Sequence, residues 1–347
     1  MTSILINHFE RNELISLTSM YQYQKIKMNN NPISNFEATI KKEYANIAGI
    51  AIRKDGHLIY ETYFDGYTKD DVLHIASVTK SIISILIGVA IDKGYINNVE
   101  QKVLEFFPDY TVKRGEKTIQ KVTIKDLLTM TAPYKYKSEP YTKVYSSDDW
   151  VKATLDLLGG RGHIGKFKYS TVGAHILSGV LTNATGQSVK DFAIESLFKP
   201  LDITAPQHTF LRNKEEHFAF LKDQYVTGWV VDPSGVNTAG WGLTLTPRDM
   251  AKIGQLYLNS GVWGNSQILS SKWIEDSTKE KSRFGELSYG YMWWIVDDDC
   301  YASLGDGGNV IFNNPNKKMV VTIASRFIPR AKDRIELIRK HILPLFG

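Results

Sequence analysis

Apolar residues follow two kinds of spacing in the first third of the chain. The segment IAGIAIRKDGHLIYETYF, from Ile47 to Phe64, contains two β-rich runs joined at Lys54-Asp55-Gly56. Asp-Gly supplies the positive φ of a tight turn, so this pattern predicts a β-hairpin. The stretch from Ser81 to Ile91 is instead almost entirely apolar, which predicts a buried helix soon after the hairpin.

Helical spacing dominates the middle of the chain, and strand-like runs return near its end. The tail segments SYGYMWWIVDD and NVIFNNPNKKMVVTIASRF predict strands, and RAKDRIELIRKHILPLF predicts a closing helix. The sequence therefore predicts an α/β (α+β) fold with one sheet and a helical insertion. Candidate helices lie near residues 35–44 and at 123–130, 148–158, 173–185, 188–198, 247–259 and 270–277.

These patterns predict a discontinuous domain organisation. Residues 1–45 form an N-terminal extension and first helix. Residues 46–95 and 285–347 together form a sheet lobe, and residues 96–284 form a mainly helical lobe. The active site is expected between the two lobes, which suit a chain of 347 residues.

Composition and charge narrow the function classes. The net charge of +5, from 42 basic and 37 acidic residues, is spread along the chain and predicts no nucleic-acid partner. No apolar run approaches the roughly 20 residues that span a bilayer, so no membrane segment is expected. The opening residues lack the pattern of a secretory signal, and Cys300 is the single cysteine. These features predict a cytoplasmic protein without an internal disulfide or a zinc site built on that thiol.

The apolar helix begins with a serine and a lysine three residues apart. On a helix, Lys80 lies on the same face as Ser77, within reach across one turn. Burial would lower the pKa of Lys80, so that a neutral amine could take the proton of Ser77. The alternative is an N-terminal cap with a solvated lysine. A second Ser-x-x-Lys copy, from Ser196 to Lys199, ends a predicted helix before a proline and is interpreted as coincidental.

Two later segments offer groups that a nucleophilic serine needs. Tyr169 precedes the predicted helix VGAHILSGVLTNATG, where a phenol could transfer protons, although an ordinary packed tyrosine has the same pattern. The segment LGDGGNV, residues 304–310, puts three glycines at a strand entry. A substrate could approach the backbone there and accept a hydrogen bond from an N–H group. The alternative is that the segment is an ordinary glycine hairpin turn. Trp293 and Trp294 could line the cleft, but at least one is expected in the core.

The order of these motifs resembles that of the serine β-lactamase and penicillin-binding superfamily. It is most similar to the class C β-lactamase-related serine hydrolases, which include esterases, D-aminopeptidases and 6-aminohexanoate-dimer hydrolase. The resemblance covers about residues 45–340 and implies a β-lactamase/transpeptidase-like fold, an antiparallel sheet flanked by helices plus a mainly helical lobe. The matching motifs are ASVTKS, TIKDLLTM, AGWGL, TPRDMAK and YGYMWW, which begin at Ala76, Thr123, Ala239, Thr246 and Tyr289.

The resemblance implies a role for four residues. Ser77 would attack the substrate carbonyl and become acylated, and Lys80 would hold or remove its proton. Tyr169 would relay a proton to the leaving group and then help to activate the deacylating water. The backbone amides of Ser77 and Asn309 would form the oxyanion hole. No metal or other cofactor is implied.

Two departures from the family pattern concern the substrate-binding wall. Thr171 replaces the asparagine of Tyr-x-Asn, although its hydroxyl can still hydrogen-bond to the lysine. Asp306-Gly307-Gly308 replaces Lys-Thr-Gly or His-x-Gly, so an aspartate stands where a cation would bind a substrate carboxylate. Like charges about 4 Å apart cost on the order of 4 kcal/mol at an effective dielectric of about 20. This cost disfavours β-lactamase and carboxypeptidase activity.

The sequence therefore predicts a cofactor-free, cytoplasmic serine hydrolase that forms an acyl-enzyme with a small ester or amide, either neutral or amine-bearing. Two alternatives stay open. One is a catalytically silent member of the same fold that binds a ligand or partner in the cleft. The other is a penicillin-binding protein or β-lactamase in which another basic residue replaces the missing cation. No oligomeric state is predicted.

Overall fold

The computed structural model of the protein describes residues 30–222, 227–297 and 299–347. Its strands are β1 (Ile47–Lys54), β2 (His57–Tyr63), β3 (Leu73–His74), β4 (His208–Phe210), β5 (Trp229–Val231), β6 (Thr244–Leu245), β7 (Val262–Trp263), β8 (Ser266–Gln267), β9 (Ser282–Phe284), β10 (Leu287–Tyr289), β11 (Trp294–Asp297), β12 (Cys300–Gly305), β13 (Asn309–Asn314) and β14 (Met319–Ser325). Its α-helices are α1 (Asn30–Glu43), α2 (Val78–Asp92), α3 (Ile124–Leu128), α4 (Tyr141–Tyr145), α5 (Trp150–Leu155), α6 (Thr171–Thr185), α7 (Val189–Ala193), α8 (Lys214–Lys222), α9 (Pro247–Leu258), α10 (Ser271–Ser277), α11 (Arg334–Leu337) and α12 (Leu343–Phe346).

Eight of these strands form one antiparallel sheet in the order β2-β1-β14-β13-β12-β11-β10-β9. Strand β1 pairs with β14, with Ile50 opposite Ile323, so the two ends of the chain meet within the sheet. The turn between β1 and β2 contains Asp55 and Gly56, with φ of 49° and 83°. The predicted hairpin and the predicted antiparallel sheet with flanking helices are therefore confirmed.

Apolar side chains cover both faces of this sheet. Neighbouring residues of a strand point to opposite faces. Phe312 of β13 accordingly packs with Phe36 of α1 and with Leu337 near the C-terminus. Ile311, the preceding residue, packs in a second core that contains the side chains of α2 and α9. The sheet is thus a central layer between two groups of helices.

Helix α2 runs through the second core. Its residues Val78 to Ala90 are all buried, as expected for a helix that is apolar on every side. It contacts β12 and α6, and it begins directly after Ser77. Gly88 permits a close approach to α10, because a Cβ at that position would lie 2.6 Å from the indole of Trp273.

The helices predicted from residue 123 onward lie where the spacing placed them. They correspond to α3, α5, α6, α9 and α10, and to α7 with the π-helical segment Ile194–Phe198 that continues it. The first helix begins at Asn30 rather than near residue 35. The part of the predicted extension at residues 1–29 lies outside the described residues. Within residues 30–222, 227–297 and 299–347, no helix is long and apolar enough to cross a membrane.

Two elements of the predicted helical segment 96–284 contact the sheet. Strand β9 and helix α9 fall in segment 96–284, yet β9 pairs with β10 at the sheet edge. Helix α9 packs on the sheet, where the Thr322 hydroxyl donates to the Pro247 carbonyl at 2.8 Å. An amphipathic helix can cover a sheet wherever the chain returns to it, which helical spacing alone does not reveal. The division of the chain into two lobes, with its boundaries, stays a prediction.

Replacing Gly88 with valine should destabilise the protein by about 2–3 kcal/mol, because the larger side chain overpacks the contact with Trp273. Urea unfolding of the purified variant measures this loss. Ser84→Ala on the same helix is the matched control, since the buried Ser84 hydroxyl has no hydrogen-bond partner among the described residues and its removal should cost little stability. Equal stability of Gly88→Val and wild type would contradict the packing described here.

Candidate active site

The nucleophile candidate stands at a sharp bend before α2. Ala76 has a φ of 50°, in the left-handed region that side chains other than glycine rarely adopt. The Thr79 hydroxyl donates to the Ala76 carbonyl at 2.7 Å and supports the bend. Ser77 is half-buried, and its side chain makes no capping bond to the helix. The Ser77 hydroxyl is therefore available for other contacts.

Lys80 lies one turn further along α2, with its amine directed at Ser77. Its Nζ is 2.9 Å from Ser77 Oγ, 3.2 Å from Thr171 Oγ1 and 2.7 Å from the carbonyl oxygen of Gly240. Only 1% of the lysine is exposed. These contacts contradict the alternative of a helix cap with a solvated lysine.

Burial determines the protonation of this amine. It lowers the pKa of Lys80 to about 7, while the nearby carboxylates of Glu139 and Asp306 act in the opposite direction. A neutral amine can donate to Gly240 and Thr171 and still offer its lone pair to the Ser77 hydroxyl. The geometry is therefore suited to removal of the serine proton near neutral pH.

Tyr169 lies directly before α6 and faces the same amine. The Ser170 hydroxyl accepts the N–H of Gly173 at 2.8 Å and caps the helix, which fixes the residues on either side of the cap. Lys80 Nζ is 4.9 Å from the centroid of the Tyr169 ring. Burial raises the pKa of Tyr169, and a hydrogen bond with Ser77 acts against that rise. The residue is therefore kept as a neutral phenol.

Ser77, Tyr169 and Thr171 open into one cavity of about 510 Å³. Trp294 lines it, whereas Trp293 is fully buried and donates from its indole to the Tyr257 hydroxyl at 2.9 Å. The prediction that at least one of the two tryptophans packs in the core is confirmed. The other residues that line the cavity are Glu139, Tyr141, Phe167, Phe284, Leu287, Leu304, Gly305 and Asp306.

Only the first residues of the glycine-rich turn between β12 and β13 line this cavity. A Cβ on Gly305 would lie 3.2 Å from the amide nitrogen of Ser77, and Asp306 follows on the cavity wall. Gly307, Gly308 and Asn309 line a separate cavity of about 460 Å³ together with residues 327–335.

The predicted residues Gly307, Gly308 and Asn309 therefore do not line the cavity that contains Ser77. Asn309 is buried, and its side-chain oxygen accepts the N–H of Ser325 at 2.9 Å. Of the predicted substrate-facing residues, Thr171 and Asp306 do line the cavity. The turn passes the Ser77 amide at Gly305, and its later residues line the second cavity.

Three side chains hold the carbonyl groups of this turn. The Asp306 carbonyl accepts a hydrogen bond from the Asn309 side chain at 2.9 Å. The Gly307 carbonyl accepts one from Asn46 at 2.6 Å, and the Gly308 carbonyl accepts one from Ser325 at 3.1 Å. The buried guanidinium of Arg334 in turn donates to Asn46 Oδ1 at 2.6 Å. Because each carbonyl has a fixed partner, the amides at the start of the turn are held in one orientation beside Ser77.

The second Ser-x-x-Lys copy has a different environment. Ser196 lies in the π-helical segment after α7, and its hydroxyl accepts from Lys93 Nζ at 3.0 Å. It does not line the cavity of Ser77. The two copies are alike in sequence and differ in their surroundings, so Ser196 is a natural control for Ser77.

The Beta-lactamase family model matches residues 36–343, which include every element of the site described above. The chain belongs to the Beta-lactamase family. This membership confirms the resemblance that the ordered motifs indicated. The serine hydrolases of this family provide the frame in which Ser77, Lys80 and Tyr169 can be interpreted.

Several known proteins are similar to this family member. The 6-aminohexanoate-dimer hydrolase of Paenarthrobacter ureafaciens is 23% identical over 298 residues, which cover 78% of this chain and 70% of that protein. A class C beta lactamase from Rhodobacter sphaeroides has a TM-score of 0.68 at 16% identity, covering 92% of this chain and 100% of that one. A family VIII carboxylesterase has a TM-score of 0.67 at 15% identity, and the match covers 94% of this chain and 97% of that one. At such identities the two structures establish the shared fold alone.

Sequence reasoning missed two contributors to the site. The carbonyl of Gly240 belongs to the AGWGL motif, but only the fold shows that a side chain there would collide with Thr171 and that the backbone can approach Lys80. Glu139 stands in a loop without periodicity, so no pattern marked it. Its carboxylate accepts the N–H of Val172 at 2.9 Å, at the start of α6.

Replacing Asn46 with alanine should lower the free energy of unfolding by about 1–3 kcal/mol, because the Gly307 carbonyl and the Arg334 guanidinium lose a buried partner. Chemical denaturation measures the loss. Asn97→Ala, at an exposed position, should change stability by no more than about 0.5 kcal/mol. Similar values for the two variants would mean that Asn46 does not hold the turn.

Proposed function

We propose that the protein is a serine hydrolase that cleaves a small ester or amide through an acyl-enzyme. The observation that supports this proposal most directly is the 2.9 Å contact between Ser77 Oγ and the buried amine of Lys80. Tyr169 faces the same amine, and a cavity of about 510 Å³ gives a substrate access to the serine. Family membership and the name of the similar 6-aminohexanoate-dimer hydrolase favour the same chemistry.

In the acylation step, Ser77 Oγ attacks the substrate carbonyl carbon while its proton passes to the neutral amine of Lys80. Negative charge develops on the carbonyl oxygen. We assign the two donors for this oxygen to the backbone amides of Ser77 and Asp306, in place of Asn309, because Asp306 follows Gly305 at the wall beside Ser77. Loss of one such donor typically costs about 10²- to 10³-fold in rate.

Collapse of the tetrahedral intermediate requires a proton on the leaving group. We assign this proton to Tyr169, since burial keeps its phenol protonated and the phenol hydrogen-bonds to Ser77; Lys80 then returns a proton to the phenol. In the deacylation step, water attacks the acyl carbon and the same groups act in reverse. The Ser77 hydroxyl is then regenerated and the acid product leaves.

The alternatives predicted from the sequence find less support. Lys80 donates to the hydroxyl of Thr171 at 3.2 Å, so the substitution at that position leaves the lysine with a partner there. This contact weakens the argument that Thr171 makes the protein catalytically silent. None of the described residues that line the cavity is a lysine, arginine or histidine. The lining residues therefore offer no cation to bind the carboxylate of a penicillin. The cytoplasmic location and the absence of a cofactor stay predictions from the sequence.

Exposure to a fluorophosphonate should add one covalent adduct to the wild-type protein and none to Ser77→Ala, because among the serines that the structure describes only Ser77 contacts a buried amine. Intact-protein mass spectrometry measures the mass added. Ser196→Ala is the matched control, because the Ser196 hydroxyl also contacts a lysine. This variant should be labelled to the same extent as the wild type.

A parallel exposure to a penicillin should give no stable adduct, since carboxylates rather than cations line the cavity. The proposal would be wrong if the phosphonate labelled Ser77→Ala as fully as wild type, or labelled neither protein. A stable penicillin adduct on Ser77 would instead support the penicillin-binding alternative.

The kcat/KM for an ester substrate should rise with pH and level off above about 7, because the pKa of Lys80 is lowered to about 7 by burial and only the neutral amine accepts a proton. Glu139→Gln removes a carboxylate that raises this pKa, so the midpoint should move to lower pH, by about one unit or less. Glu105→Gln removes an exposed carboxylate outside the cavity and should leave the midpoint in place. A shift to higher pH in Glu139→Gln would exclude Lys80 as the base.

A further inference from the structure

We propose that the cavity around Ser77 selects ester and amide substrates that carry an ammonium group, which Glu139, Asp306 and the neighbouring aromatic side chains bind. This inference rests on the proposed function and adds the charge class of the substrate to it. The observation behind it is the composition of the cavity wall, where two carboxylates and five aromatic rings surround the nucleophile.

The two carboxylates lie close to the reacting groups. Both raise the pKa of Lys80, so their field reaches the amine that contacts Ser77. No lysine, arginine or histidine is found among the described residues that line the cavity. Lys80 itself is 1% exposed and already contacts three oxygen atoms, so it offers little to a substrate anion. The wall is therefore acidic toward an incoming ligand.

Neither carboxylate forms a direct ion pair with a cation in the part of the chain that the structure describes, although Lys168 acts on Glu139 at longer range. Glu139 accepts the N–H of Val172 at 2.9 Å and the hydroxyl of Tyr136 at 3.1 Å, which fixes its orientation without a counter-charge. Asp306 is exposed, and among the described residues its side chain forms neither a hydrogen bond nor an ion pair. A ligand cation would supply the direct ion-pair partner that both carboxylates lack among the described residues.

The aromatic part of the wall suits the same group. The rings of Tyr169 and Trp294 are nearly parallel, at 17° with centroids 6.1 Å apart, and Phe167 lies 6.2 Å from Trp294. Tyr141 and Phe284 are 46% and 61% exposed at the mouth of the cavity. Aromatic faces attract alkylammonium ions, and quaternary ammonium groups in particular bind in aromatic enclosures. Carboxylates beside such faces favour a cation over a neutral group of the same shape.

The test compares substrates that differ only in charge. One pair is acetylthiocholine and its uncharged analogue, in which a tert-butyl group replaces the trimethylammonium group. The second pair places the same two groups at the end of the acyl chain of a para-nitrophenyl butanoate. We expect kcat/KM to be about tenfold or more higher for the cationic member of at least one pair. The double variant Glu139→Gln/Asp306→Asn should reduce the ratio to about one, whereas Glu105→Gln should leave it unchanged.

A binding measurement separates this inference from the proposed function. Isothermal titration of Ser77→Ala protein with benzyltrimethylammonium should detect binding that disappears when the Glu139→Gln and Asp306→Asn changes are added. Hydrolysis of both members of each pair at equal rates, with no binding of the cation, would overturn the inference and leave the hydrolase proposal standing. Cation binding without hydrolysis of any substrate would support the charge preference and contradict the hydrolase proposal. Absence of both hydrolysis and binding would overturn both.

Discussion

The burial of one amine is the constraint on which the rest of the site depends. A lysine in water stays charged near neutral pH and cannot remove a serine proton, whereas Lys80 is enclosed at the start of an apolar helix, and burial lowers its pKa to about 7. The same enclosure raises the pKa of Tyr169 and preserves its phenol. A single environment of low polarity thus lowers the pKa of an amine and raises the pKa of a phenol. The amine is then suited to accept a proton and the phenol to donate one.

This environment is assembled from segments that are distant in the chain. Helix α2 contributes Ser77 and Lys80, α6 contributes Thr171, and the loop at Gly240 contributes a carbonyl oxygen. Strand β12 closes the wall where Gly305 approaches the Ser77 amide. The amine has all three of its hydrogen-bond partners only when these elements are in place, so the environment of Lys80 depends on correct folding of the core.

The turn after β12 links the sheet to the nucleophile. Its carbonyl groups are bonded to Asn46 near one end of the chain and to Ser325 near the other, and the buried Arg334 braces Asn46. The turn stands between two cavities, one with the nucleophile and one with residues 327–335 behind it. The donors proposed for the oxyanion therefore have a rigid support, which is what stabilisation of a developing charge requires.

The sequence alone determined the features that depend on local spacing: the hairpin at Asp55-Gly56, the buried helix after Ser77, and the one-turn separation that brings Lys80 to the serine. Only the tertiary structure decided which residues of the glycine-rich turn line the cavity of Ser77: Gly305 and Asp306 do, whereas Gly307 and Gly308 line the second cavity. It also decided that Glu139, in a loop without periodicity, joins the cavity. Periodicity records which face of an element is buried, but a loop position is set by distant packing that local spacing does not contain.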